Sequence, residues 1–165
     1  MRIRYFLSVL VLLLVAGNVP AVGQTDAGHP NLSGTWKLNP AKSKVPKGAD
    51  IGSGTIHIDC FGSTFRIDGA GDAMDQSRTW IADGEEHSVM HVEPEGRQRG
   101  YDLIHIAYWK KASLVTEVNI HVNADAGSRA SLPPRVVRWT LSKDGRQLSR
   151  ESDDPKQILV YDKQP

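Results

Sequence analysis

The chain predicts an all-β domain built from antiparallel strands. Three observations carry that expectation. Many short segments alternate apolar with polar residues, and Gly, Pro, Asp and Asn punctuate them at close intervals. Asp83-Gly84 and Lys143-Asp144-Gly145 are tight-turn sequences, because Asp-Gly accepts the positive φ angles of a short hairpin. No long stretch repeats its apolar residues with the period of an α-helix.

The first element is an export leader, expected at residues 1–23. Arg2 and Arg4 precede an uncharged apolar run from Phe6 to Val15. That run suits the translocon but is shorter than the roughly 20 apolar residues of a membrane-spanning helix. Pro20 breaks the helix, and Ala21-Val22-Gly23 offers the small residues a signal peptidase accepts. Cleavage is expected after Gly23, with Ala21 as the alternative, which places the mature chain in the periplasm or outside the cell. No other stretch is apolar enough to serve as a transmembrane anchor. Residues 24–31 read as a loose polar segment and 32–165 as a single domain.

Strands are expected near Ser33–Leu38, Thr55–Cys60, Thr64–Asp68, Ser77–Ala82, His87–Val92, Tyr101–Trp109, Ser113–Val122, Arg135–Ser142, Gln147–Ser152 and Gln157–Asp162. Phe61-Gly62-Ser63 turns the chain between the second and third, and Asp83-Gly84 closes the hairpin of the fourth and fifth. Asn123–Pro134 is the longest loop, stiffened at its end by Pro133-Pro134. Pairing Tyr101–Trp109 with Ser113–Val122 around Lys110–Ser113 puts Leu103, His105, Ala107 and Trp109 on one face. Leu114, Thr116, Val118, Ile120 and Val122 share it. The other face carries Asp102, Tyr108, Glu117, Asn119 and His121, with Ile104, Ile106 and Val115 among them. A sheet with one apolar face must find a second layer or curl on itself, and closure also removes exposed edges. The expected architecture is an up-and-down barrel of about 8–10 strands, with a β-sandwich as the alternative, since both need the same alternation.

Composition narrows the functions. The chain carries a formal net charge of +1. Loss of a leader holding Arg2 and Arg4 takes the 20 basic groups to 18 against 19 acidic ones, or −1. Such a chain has no broad electrostatic attraction for nucleic acid. Lys37, Lys42, Lys44 and Lys47 make one basic stretch, expected to be solvated. One cysteine, Cys60, permits no internal disulfide, and its alternation with Ile56 and Ile58 points it toward the core.

Motifs for chemistry are absent. There is no Gly-x-Ser-x-Gly elbow, dinucleotide loop or phosphate-binding loop, so no catalytic residue and no cofactor is expected. His87 and His91 have metal-pair spacing only on a helix; on a strand they lie about 13 Å apart, so no metal is expected. Asn31-Leu32-Ser33 matches a glycosylation acceptor.

Ser33-Gly34-Thr35-Trp36-Lys37-Leu38 places a Gly-x-Trp on the first strand. This resembles the opening signature of the calycins, the lipocalins and fatty-acid-binding proteins, and of the lipocalin-like domains of exported bacterial proteins. The closing Ile158–Lys163 strand is similar to theirs. Gly34 and Trp36 would be the barrel signature. The departures are definite. Asn39–Ser53 is too short for the two helices of the fatty-acid-binding proteins, and no Thr-Asp-Tyr motif follows. The last strand lacks the arginine that covers the tryptophan in lipocalins, leaving Arg138 as the candidate. The resemblance implies a barrel with a cavity for a small hydrophobic ligand, lined by Leu103, His105, Trp109, Thr116, Val118 and Trp139. Two other readings stand beside it. One is an envelope protein-interaction module with a filled barrel. The other is an enzyme with His105 or His121 beside Asp102 or Glu117 at the barrel mouth.

Overall fold

The computed structural model describes residues 28–47, 54–69, 78–93, 100–123, 129–153 and 156–165. The expected leader lies outside them, as do residues 48–53 and 124–128 of the two long connections. The strands are β1 (Gly34–Leu38), β2 (Thr55–Phe61), β3 (Thr64–Asp68), β4 (Arg78–Ile81), β5 (His87–Val92) and β6 (Tyr101–Lys110). After them come β7 (Ser113–Asn123), β8 (Arg129–Ser131), β9 (Arg135–Leu141), β10 (Gln147–Asp153) and β11 (Lys156–Lys163). They form one antiparallel sheet with the hydrogen-bonded order β4-β3-β2-β1-β11-β10-β9-β7-β6-β5. These ten strands make a nearly closed up-and-down barrel, and β8 pairs with β7. The barrel replaces the sandwich alternative because β1 joins β11, bringing the two ends of the domain together.

The β6–β7 register is the one the alternation demands. Lys110 pairs with Ser113 and His105 with Val118, with no bulge through Tyr101↔Val122. Inside lies a continuous apolar core that includes Trp36, Ile56, Ile58, Phe65, Leu114, Trp139 and Leu148. Cys60 is partly buried against it, and burial pushes its thiol pKa up. The basic stretch runs outside along β11. Lys42 pairs with Asp162 at 3.3 Å, and the backbone of Lys44 bridges to Ile158.

Three expectations are corrected. Asp83-Gly84 does not close a β4–β5 hairpin, because these strands end opposite sides of the hydrogen-bonded path. The Gly84 N–H instead donates to the Ala107 carbonyl of β6 at 2.9 Å, and the chain swings onto a new partner. Second, the long Asn123–Pro134 connection contains a strand. β8 continues the line of β9 along β7, and the pairing shifts by one residue across Leu132–Pro134. Pro133 and Pro134 have no N–H to continue the ladder, which is why the line breaks there. Third, Arg138 lies outside and pairs with Asp153 at 3.2 Å. The cation over Trp36 is Lys163, with its Nζ 5.2 Å from the ring. Gly34 makes room for it. Its φ is +137°, and a Cβ there would meet Lys163 Cε at 3.2 Å.

Candidate functional site: the polar wall of the barrel interior

One end of the barrel is closed by its own chain. Leu32 is fully buried, and its carbonyl accepts a hydrogen bond from Trp36 Nε1 at 2.9 Å. His29 stacks on Trp109 with centroids 4.7 Å apart, and Trp109 meets Phe65 edge-on at 5.7 Å. The Ser33 hydroxyl accepts from the Cys60 N–H at 3.1 Å. Thus the segment from Gly28 to Ser33 crosses the barrel end beneath Trp36 and Trp109. At the opposite end lie the ends of β1, β3, β5, β7 and β10 and the starts of β2, β4, β6, β9 and β11.

Between the ends, the inner wall changes character. Across β6, β7, β9, β10 and β11, one cross-strand row reads Ala107, Thr116, Val137, Ser152 and Gln157. The next row toward the closed end reads Trp109, Leu114, Trp139, Arg150 and Leu159. Two rows of a barrel lining would ordinarily be apolar. Here they hold a cation and several neutral polar side chains.

Arg150 is the decisive residue. It is only 5% exposed, and its guanidinium carbon lies 5.6 Å from the centroid of the Trp139 ring. The negative face of the indole attracts the cation. Trp139 is fixed in turn, since its Nε1 donates to Thr116 Oγ1 at 3.4 Å. Thr116 Oγ1 donates to the Val137 carbonyl at 3.5 Å. Gln157 faces the same interior across from Ser152, and its Oε1 is buried with no hydrogen-bond partner. On the other side of the barrel His105 is 3% exposed and stacks on Trp80, with centroids 4.0 Å apart and planes 9° from parallel. That stack also brings β4 against β6, although the hydrogen-bonded path ends at β4 and β5.

The residues expected to line a cavity all lie on the inner face of β6, β7 and β9. Leu103, His105, Thr116, Val118 and Trp139 are buried, and Trp109 is partly buried. They form one wall rather than a ring, and Trp109 belongs to the closed end. The polar residues that continue this wall onto β10 and β11, Arg150, Ser152 and Gln157, were not singled out from sequence. Their signal was present: Leu148, Arg150 and Ser152 alternate in phase along β10, so an arginine stood in an inward position.

The outer face separates the groups of the enzymatic reading. His105 is inside, whereas Asp102, Glu117 and His121 are outside. Tyr108 donates to Glu117 at 2.8 Å, which raises the tyrosine pKa. Asp102 accepts from His91 Nδ1, and Glu93 accepts from His91 Nε2 at 2.9 Å. The Asp102 hydrogen bond, and secondly that of Glu93, raises the His91 pKa above its ordinary value. His87 and His91 do not share a face. The bulge between Ser88 and Met90 pairs His87 with inward His105 and His91 with outward Asp102. Among the described residues, no group of three or more His, Cys, Asp or Glu is placed to hold a metal ion. Among them also, no helix is long and apolar enough to cross a membrane.

No protein family, curated protein or solved structure matches the chain. The nearly closed antiparallel barrel is compatible with a calycin-like fold.

Proposed function

We propose that this chain is an exported, non-enzymatic binding protein. Its ligand is small and mainly apolar, lies inside the barrel, and presents an acidic group to Arg150. The observation that carries the reading is the burial of Arg150 against Trp139 on an inner wall that also holds Thr116, Ser152 and Gln157. The indole face favours the cation, and the five N–H donors of a guanidinium can meet a ligand acid beside the contacts Arg150 already makes. A ligand carboxylate would supply a charge-assisted hydrogen bond at this point. The lipocalin-like opening, with Trp36 and the Gly28–Ser33 segment sealing one end, supports access from the other.

The test uses protein purified gently from the exported fraction. Native mass spectrometry followed by organic extraction reads any bound ligand. Titration with cis-parinaric acid and its methyl ester then separates tail from head. The acid should bind about 10- to 100-fold more tightly than the ester, and Arg150→Met should abolish that difference. Equal binding of acid and ester by the wild type would refute the role of Arg150.

The interaction-module reading retains one specific support. Phe61, Thr64 and Ile81 form an outward row across β2, β3 and β4, and Phe61 is 70% exposed. A barrel that extracts empty and binds neither probe would favour that surface.

A further inference from the structure

We propose that β5 is a releasable strap on the barrel wall, held against β6 by His91 while that ring carries its proton and loosened when the proton leaves. The inference concerns the wall itself and holds whatever the barrel binds.

Burial sets β5 apart. Each of the other nine strands on the hydrogen-bonded path buries at least one apolar side chain. β5 buries none: Ser88 to His91 are exposed, and His87 and Val92 are only partly buried. Met90 is the cross-strand neighbour of inward Leu103, yet it is 46% exposed. β5 also ends the path, so among the described residues it pairs along one edge only. The bulge between Ser88 and Met90 interrupts even that ladder. A strand with few buried contacts and a broken, exposed ladder opens locally before the core does.

Polar clasps hold it, and they differ along its length. At the entry, the Gly84 N–H donates to the Ala107 carbonyl at 2.9 Å, and His87 Nε2 lies 3.0 Å from both carboxylate oxygens of Asp83. Beyond the bulge, His91 clasps Met90–Val92. Its Nδ1 donates to Asp102 of β6, and its Nε2 donates to Glu93 at 2.9 Å. Ionised carboxylates only accept, and only the protonated imidazole donates from both nitrogens. Loss of the proton therefore leaves one carboxylate facing a lone pair and breaks that clasp. Asp102 first, and Glu93 second, raise the His91 pKa. The clasp is thus complete below the ordinary value of 6.5 and is lost as pH rises through the higher folded one. His121 of β7 is the register partner of Asp102 on its far side. A protonated His121 competes for that carboxylate and works against the clasp. Lifting Met90–Val92 uncovers the inner wall at Leu103, on the side where β4 and β5 leave the path unjoined.

Amide hydrogen exchange on the intact protein tests the strap, read by mass spectrometry on peptides from β5, β9 and β10 and corrected for intrinsic chemical rates. The amides of Met90–Glu93 should be at least about tenfold less protected than those of β9 and β10. Between about pH 5.5 and about pH 8.5 their protection should fall about three- to fivefold further than that of β9 and β10, the scale of an exposed ion pair. His91→Gln, which takes up no proton, should show the low alkaline protection of β5 at both pH values. Glu93→Gln alters a side chain that is 81% exposed and should shrink the pH response, which keeps the test decisive if His91→Gln folds poorly. Three results overturn the strap: β5 as protected as β9 and β10, a β5 protection that does not change with pH relative to them, or a pH response that survives the substitutions in full.

Discussion

Replacing Trp36 with Phe should open the closed end of the barrel, and the structure sets the size of the effect. Trp36 has no exposed surface and donates from Nε1 to the Leu32 carbonyl at 2.9 Å. Phenylalanine keeps the aromatic contact but cannot donate. The Leu32 carbonyl is then left without that partner in a buried position, at a cost of about 1–3 kcal/mol. The smaller ring also removes roughly two carbon equivalents of packing, about 1.5 kcal/mol at 0.8 kcal/mol for each buried methylene. Together the loss is about 2.5–4.5 kcal/mol. For a chain of this size each kcal/mol moves the melting midpoint by about 2–4 °C, so Tm should fall by about 10 °C. Calorimetry on wild type and Trp36→Phe measures the shift. Limited proteolysis should cut the variant within Gly28–Ser33 faster than the wild type. A fall of less than about 1 kcal/mol, with unchanged cutting, would show that the Leu32–Trp36 contact does not hold that end shut.

Two other predictions concern His91 on β5 and the glycines at positions 34 and 69. His91 is favoured in its protonated form by Asp102 and then Glu93, with His121 facing Asp102 from β7. Its stabilisation is therefore full below the ordinary histidine pKa of 6.5 and disappears as pH rises through the higher folded value. His91→Gln should melt below wild type at about pH 5.5 and converge with it in alkaline buffer; a gap independent of pH would refute the linkage. Gly69→Ala and Gly34→Ala should differ although both positions have positive φ. A Cβ on Gly69 would lie 2.6 Å from the Thr55 backbone oxygen, whereas on Gly34 it meets the movable end of Lys163 at 3.2 Å. Chemical denaturation should show Gly69→Ala costing about 3 kcal/mol or more and Gly34→Ala about 1–2; equal losses would contradict the contact geometry.

The barrel was legible in the chain because its strongest signals are local. The β6–β7 hairpin follows from the alternation and a two-residue turn at Lys111-Ala112, so the pairing of His105 with Val118 needed no tertiary knowledge. Gly34 and Trp36 stood out through the resemblance of Gly-x-Trp to the calycin opening. Closure was not legible. Asp83-Gly84 is a sound local turn, since Asp83 accepts from the Glu85 N–H at 2.9 Å, yet the turn passes the chain to Ala107 rather than into a hairpin. A turn sets local geometry; which strand lies beyond it depends on the curvature of the whole sheet.

The candidate site divides along the same line. Alternation alone placed Leu103, His105, Thr116, Val118 and Trp139 on one inward face, because side chains change sides with every residue of a strand. Tertiary structure decided what stands beside them. Arg150 and Gln157 come from the last two strands; Arg150 becomes a neighbour of Trp139, and Gln157 of Ser152, only when β9, β10 and β11 are wound into register. Lys163 likewise reaches Trp36 only because β11 returns to β1, across 127 positions of sequence. The sequence by itself determined which residues turn inward, through a period-two pattern that acts within each strand. Only the closed sheet decided which inward residues meet, since contacts between distant strands depend on order, register and curvature together.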